Sequence, residues 1–583
     1  MKLNYKKTIF VGFAFFLICA FWQAYDSIVP MMLVNKFGLS QTVSGVIMSL
    51  DNVIAIFLLP LFGSLSDKTQ TKFGRRTPYI VIGTIVAAVA FFGLTFADNA
   101  QLAKLGNIGT DGGYETLFDA DYEIQNAEYS AITDRDQPKT YTVRDYSAKI
   151  VKNKLFSELT EEEKTEVRDW YSGINAEYNA DHSKPETVYG YDSETKTYYV
   201  LNIGTENGKT VYKTENGEVA GANIVKYNAY KNLVTPSVSD YALQKTLDEP
   251  LTLVLFAGLL LLTLFAMAVF RSPAVALMPD VTEKPLRSQA NAIINLMGTA
   301  GGMLVLVLGM VFGTGKTYNQ LMSYTPFIGA VCLVMVFGLL MFIWKVREPK
   351  WVNEMEEASV KDGLETSEEA KTDLVSKKKL SKSEFTSLIL ILASVALWYI
   401  GYNAVTSKYS LYAMNVLHKD YNTTLLVAQG AAIIAYIPVG MLAHKIGRKK
   451  SILAGVVMLT VAFFGATFMN ENSSIIVLNL LFALAGIGWA TINVNSFPMV
   501  VELAKGGDVG KYTGFYYTAS MAAQIITPIL SGAIMELAGS MKPLFYYASI
   551  AVALAFVTMF FVKHGDSKPM KKGKIIENLD VDD

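Results

Sequence analysis

At 583 residues, 51% hydrophobic and only 18% charged, the chain is too apolar for a string of ordinary soluble domains. Its net charge of −1 offers no basic field for nucleic acid, so no nucleic-acid partner is expected. Two cysteines, Cys19 and Cys332, both in apolar runs, exclude a disulfide framework and a cysteine metal cluster, and four histidines without HExxH spacing leave no zinc-enzyme signature.

A helix that crosses a bilayer needs about 20 apolar residues. Twelve stretches qualify, at 8–34, 41–65, 78–98, 250–279, 288–313, 325–346, 385–413, 422–443, 451–469, 474–500, 512–537 and 542–563. Lys2, Lys6 and Lys7 precede the first, as in a signal peptide, but its apolar run is too long for one and eleven spans follow. Lys68, Lys72, Arg75 and Arg76 follow span two, and Lys445, Arg448, Lys449 and Lys450 follow span eight. The short loops on the other side carry single lysines, such as Lys36, Lys316, Lys419 and Lys542. The positive-inside bias therefore puts both termini in the cytoplasm of a multi-pass cell-membrane protein, with the lipid bilayer as its solvent.

Residues 1–98 hold spans one to three and residues 250–346 hold spans four to six. Between them, residues 99–249 are polar and tyrosine-rich and fall outside the cytoplasm. Thr160-Glu161-Glu162-Glu163 reads as a capping box opening a helix toward Trp170. Asn207-Gly208 and Asn216-Gly217 punctuate β-rich runs as hairpin turns. A small extracytoplasmic α/β domain is expected there, either functional or a tolerated insertion. Residues 347–384 are highly charged and form a cytoplasmic linker; residues 385–563 hold spans seven to twelve, and 564–583 a charged tail.

The two sets of six spans repeat each other. Tyr25-Asp26 aligns with Tyr402-Asn403, and at the same offset Gly63, Leu65 and Lys68 meet Gly440, Leu442 and Lys445. After a four-residue gap Gly74-Arg75 meets Gly447-Arg448. Parallel halves related by an axis along the membrane normal are a transporter arrangement. Within these loops Gly63 permits close helix approach, Gly74 supports a turn, and Asp67 is placed to pair with Arg75 or Arg76. A pair of that kind holds one side closed in one state and releases it in another; the plainer reading is positive-inside topology alone.

Gly63-x-x-x-Asp67-Lys68 with Gly74-Arg75-Arg76, and Gly440-x-x-x-His444-Lys445-x-Gly447-Arg448-Lys449, resemble the loop signature of the major facilitator superfamily. The lengthened first copy, "SDKTQTKFGRRTP", looks like the version in sucrose transporters and glycoside–pentoside–hexuronide:cation symporters, as do Phe270–Ala292 and Gly510–Gly532. The resemblance covers all twelve spans but not 99–249. It implies an all-α membrane protein of twelve helices in two pseudo-symmetric six-helix halves. It also implies a non-enzymatic, monomeric symporter that takes up a sugar or glycoside with H⁺ or Na⁺, without another cofactor or bound metal.

Ionisable residues inside a span are functional-site hypotheses by default. Asp26 lies roughly 27 Å along span one from its cytoplasmic start, and Asp51 roughly 24 Å before Asp67, so the two carboxylates share a depth. They are expected to share a proton or bind a cation, or else to form a buried structural pair. Arg271, about 12 Å from the cytoplasmic end of span four, is the cationic counterpart, and flanking Pro273 and Pro279 are expected to break that helix locally. Around these charges lie Trp22, Gln23 and Tyr25 on span one, Trp398, Tyr402, Asn403 and Lys408 on span seven, and Trp489, Asn493 and Asn495 on span ten. Aromatic faces and amides of this kind suit a sugar. Rival readings are an exporter of drug-like or lipid-like molecules on the same fold, and a non-transporting receptor or scaffold that uses the insert. No GxxxxGKS or GxxxxGKT motif is present for ATP-driven transport.

Overall fold

A bilayer interior offers backbone groups no water, so each long apolar run closes its hydrogen bonds within itself as a helix. The computed structural model describes residues 3–106, 108, 113–124, 140–152, 154–180, 187–192, 197–200, 202–206, 209–213, 224–227, 229–282, 286–316, 319–361, 381–501, 503 and 509–565. Spans one to six are Tyr5–Met31, Gln41–Lys68, Thr77–Leu105, Leu251–Asp280, Arg287–Phe312 and Thr325–Lys345. Spans seven to twelve are Lys382–Asn415, Tyr421–Ile446, Arg448–Ala466, Ile475–Val501, Val509–Leu537 and Pro543–Phe560. Eleven of these satisfy length and apolarity for crossing a membrane among the described residues, and Tyr421–Ile446 completes the twelve as a 26-residue helix.

Helix starts follow local chemistry. Ser40 accepts from the Val43 amide, Ser381 and Glu384 form a capping box, and prolines occupy the first turns of spans six and twelve. One expectation is corrected: span four runs as a single helix, Leu251–Asp280, with Pro273 and Pro279 inside it. Pro30, Pro60, Pro438, Pro498 and Pro528 are likewise carried within helices, because neighbouring spans can satisfy the freed backbone groups.

The contacts divide the chain into two units, one holding the bundle (Met1–Met31, Ser40–Phe96 and Phe256–Asp583) and one holding Met32–Leu39 with Ala97–Leu255. In the bundle, span one packs on spans five and six, span ten on eight and nine, and span twelve on seven and nine. The two halves meet where span two lies along span eleven and span five along span eight. Small residues let backbones touch in place of a hydrophobic driving force. A Cβ added at Gly45 would strike the Pro528 carbonyl, one at Gly301 the Phe16 carbonyl, and one at Gly486 the Ala428 carbonyl.

The second unit contains short helices and two small sheets. Strands β1 (Thr187–Asp192), β2 (Thr197–Val200) and β5 (Ile224–Tyr227) form an antiparallel sheet in the order β2-β1-β5. Strands β3 (Asn202–Glu206) and β4 (Lys209–Lys213) pair with Glu206 opposite Lys209, the register of a two-residue hairpin loop. The Asn207-Gly208 and Asn216-Gly217 turns themselves lie outside the described residues. The predicted capping box is present: the Glu163 amide donates to Thr160 Oγ1 at 3.3 Å, and the Thr160 amide donates to Glu163 Oε2 at 2.9 Å, opening helix Glu161–Ala180. That backbone bond, with help from Lys154, holds the exposed Glu163 carboxyl below its ordinary range.

At the base of this unit, Lys36 and Asp98 form an ion pair at 2.6 Å with both side chains fully buried. Gln101 Nε2 donates to the Lys36 carbonyl at 3.0 Å and to Thr246 Oγ1 at 2.9 Å, while Thr252 Oγ1 donates to Gln101 Oε1 at 2.6 Å. Gly38 sits at φ +68°, where the Leu243 amide leaves no room for a side chain. A buried pair of this kind costs little while intact and much when halved. Asp98→Ala is expected to destabilise the protein by about 3–5 kcal/mol, and the double change Lys36→Met with Asp98→Leu to recover most of it. Thermal unfolding of the purified protein, followed by intrinsic fluorescence, measures both.

Candidate functional site

The charges inside the bundle come together. Asp26 on span one and Asp51 on span two act electrostatically on each other, and Arg271 on span four acts on Asp51. Asn52 Nδ2 donates to Asp51 Oδ1 at 2.7 Å, and the Arg271 guanidinium carbon lies 5.6 Å from the centroid of the Trp22 ring. All three charged side chains are half-buried. Charged groups on three spans that reach one another face the bundle interior rather than hydrocarbon.

The other half contributes an aromatic wall. Tyr402 stacks on Trp489 with centroids 3.6 Å apart and planes at 3°, and Tyr399 meets Trp489 edge-on at 5.2 Å. Tyr402 is also an electrostatic neighbour of Asp26, which brings this wall to span one. Gln429 Nε2 donates to Gln23 Oε1 at 2.6 Å across the halves, and Gln23 Nε2 donates to Ser27 Oγ at 3.1 Å. Asn493 hydrogen-bonds Tyr436. The buried Trp22 Nε1, Tyr25 hydroxyl, Asn403 Nδ2 and Gln429 Oε1 have no hydrogen-bond partner among the described residues. Such atoms usually answer to water or ligand.

Three named residues point elsewhere. Lys408 is fully buried and donates to the Gln41 carbonyl at 2.8 Å, with Gln41 Oε1 at 3.3 Å. Asn495 is buried and donates to the Thr491 carbonyl of its own helix at 2.9 Å. Trp398 is fully buried in the core of its half. Sequence reasoning missed Gln429, Tyr399 and Tyr436, although each is a polar or amphipathic residue within a span, the signal that singled out their neighbours.

The loop between spans two and three is held by three carboxylates and a hydroxyl. Arg76 bonds Asp67 and Ser66, and its Nε donates to Asp280 Oδ2 at 2.9 Å; Arg75 Nη2 lies 2.8 Å from Asp280 Oδ1. Burial works against the charged Arg76, but the bonds and charges of Asp280 and Asp67 outweigh it and raise its pKa further. Glu348, the first residue of helix Glu348–Lys361, accepts from the Arg75, Arg76 and Thr77 amides at 2.8, 2.8 and 2.7 Å and from Thr77 Oγ1 at 2.7 Å. It thereby caps span three, and the carboxylate complements that helix dipole. Gly74 at φ +108° and Gly447 at φ +93° occupy matching turns ahead of spans three and nine, as the internal repeat requires. Gly63 lies where span two approaches Ser272 of span four, Gly440 lies within span eight, and Arg448 opens span nine.

The described seal between halves lies at the opposite end of span two. A Cβ on Gly532 would meet the Gln41 carbonyl, and one on Gly309 or Gly315 would meet Asn422 or Asp420. Thr314 Oγ1 and the Tyr421 hydroxyl are 2.8 Å apart.

The sequence matches the Major Facilitator Superfamily over residues 249–432 and 421–577, more than half of its length, and the MFS/sugar transport protein family over 10–107. The chain belongs to the Major Facilitator Superfamily and is a transporter by class. A stretch of 126 residues is 26% identical to an uncharacterized MFS-type transporter of Methanocaldococcus jannaschii, covering 22% of this chain and 30% of that protein. The chain thus spans about a third of the length of the curated relative it matches. The fold is similar to the inward open conformation of the xylose transporter XylE from E. coli, at 12% identity over 99% of each chain with TM-score 0.52. It is equally similar to a D-xylose-proton symporter (10%, 96% and 99%, 0.51) and to a POT peptide transporter in complex with sulfate (9%, 96% and 93%, 0.52). A sugar and a peptide transporter fit alike, so these likenesses carry the fold.

Glu348→Ala leaves three amides and a hydroxyl without their acceptor, each costing about 1–3 kcal/mol if it stays dry. A lowered unfolding temperature is expected, with Glu348→Gln, which keeps one acceptor oxygen, falling less. Thermal scans of the two variants side by side check this.

Proposed function

We propose that the protein is a proton-coupled symporter, with Na⁺ as the other candidate ion, that takes up a sugar or glycoside by alternating access. One observation carries the reading: two carboxylates and an arginine, drawn from three spans, lie within electrostatic reach of one another, and Asp26 also of Tyr402, which stacks on Trp489 in the other half. Asp26 and Asp51 bind the coupling ion, and Arg271 answers their charge. When the ion is absent Arg271 pairs with the carboxylates; when it is bound the guanidinium is released toward substrate hydroxyls. Trp22, Gln23, Tyr25, Asn403 and Asn493 supply the amides, hydroxyl and indole that meet a polyol, and the aromatic wall covers its C–H face.

The seal at Gln41, Gly532 and Asn422 closes the outer side in this arrangement, with both termini in the cytoplasm and the cell membrane as the site of action. Lys408 belongs to that seal. The Arg75–Arg76–Asp280–Glu348 cluster holds the inner ends of spans two, three and four together while the halves rock.

Uptake into proteoliposomes, with a sugar panel under an imposed pH or Na⁺ gradient, tests the proposal. Accumulation of at least one sugar under one gradient is expected; none under either sinks the symporter reading. Asp26→Asn or Asp51→Asn should abolish accumulation while leaving substrate exchange. Trp489→Ala should weaken apparent affinity up to about tenfold, the equivalent of roughly 0.5–1.5 kcal/mol of aromatic contact, with little change in gradient dependence.

A further inference from the structure

Spans one, five and six enclose a groove of about 470 Å³, lined by Phe13 and Phe16, Met297 and Leu304, and Leu333 and Phe337. We infer that this groove holds one acyl chain of an anionic phospholipid whose headgroup meets Lys345. Leu333 and Phe337 are 70% and 61% exposed, so the groove opens outward, and on a spanning helix the surface at that depth faces hydrocarbon. Phe337 and Leu333 precede Lys345 by 8 and 12 residues, or about 12 and 18 Å along the helix. The hydrocarbon of one leaflet is about 15 Å thick, so a tail anchored at Lys345 reaches the groove near the bilayer middle.

The headgroup end is built for a negative charge. Lys345 Nζ lies 3.4 Å from the Trp344 ring centroid and 6.0 Å from that of Phe10, and among the described residues it meets no carboxylate. Trp344 is largely exposed, as an interfacial tryptophan is. From Phe10 an aromatic ladder leads inward, with Phe10–Phe13 and Phe13–Phe16 centroids 6.3 and 5.9 Å apart. The groove exists because Gly298 and Gly301 of span five and Gly338 of span six draw close to span one, so that its phenylalanines form a recessed floor.

The test is native mass spectrometry of the full-length protein in detergent, titrated with dioleoyl-phosphatidylglycerol or dioleoyl-phosphatidylcholine. One phosphatidylglycerol should be retained with about fivefold preference over phosphatidylcholine, the factor one lysine near an anionic headgroup contributes. Inorganic phosphate at the same concentration should not displace it. Lys345→Gln should erase the preference while leaving phosphatidylcholine binding unchanged. Leu333→Trp, which fills the groove, should lower retention of both lipids, and Ala300→Phe on the opposite wall replaces it if it does not fold. Equal retention of the two lipids by the unaltered protein, a preference that survives Lys345→Gln, displacement by phosphate, or retention unaffected by a filled groove would each overturn the inference.

Discussion

A bilayer supplies no partner for a charge, and most of this molecule can be understood as the management of that one constraint. Asp26, Asp51 and Arg271 are tolerated inside the bundle because they reach one another. Lys36 and Asp98 solve the problem differently, by complete mutual burial, with Gln101 bonding the Lys36 carbonyl beside them. Lys408 uses a third solution, a backbone carbonyl on Gln41. The same shortage explains the helices themselves, the tolerated prolines and the glycines where backbones touch.

These solutions also separate fixed parts from movable ones. A fully buried ion pair has one arrangement. In the proposed cycle the two carboxylates and the arginine have several, because ion, proton or substrate can each replace a partner. The arginine cluster near Glu348 is intermediate: Asp67, Asp280 and Glu348 bind it from span two, from span four and from the helix after span six, so these helix ends share one set of charges.

The spans were legible in the sequence because the membrane imposes a length. Expected runs at 41–65 and 325–346 became Gln41–Lys68 and Thr325–Lys345. Local signals were equally readable: Thr160 with Glu163, Asn207-Gly208 as a hairpin register, Gly74 and Gly447 as turns. Long-range partners were not. Nothing near Arg76 in sequence points to Asp280 or Glu348, and the depth of Lys408 does not tell which way four methylenes will lead its ammonium. Pro273 and Pro279 suggested a broken helix, but neighbouring spans support an unbroken one. The candidate site was readable as residue types at a common depth, whereas the Tyr402–Trp489 stack and the Gln23–Gln429 bridge needed coordinates.

The seal between halves carries one more implication. Where Gly45 faces the Pro528 carbonyl and Gly532 the Gln41 carbonyl, backbone meets backbone. Interdigitated surfaces must turn rotamers before they separate, and they must find the same fit again on return. Bare glycine faces slide apart and back with little side-chain entropy gained or lost. A joint of this kind has low friction, which suits the alternating access proposed above.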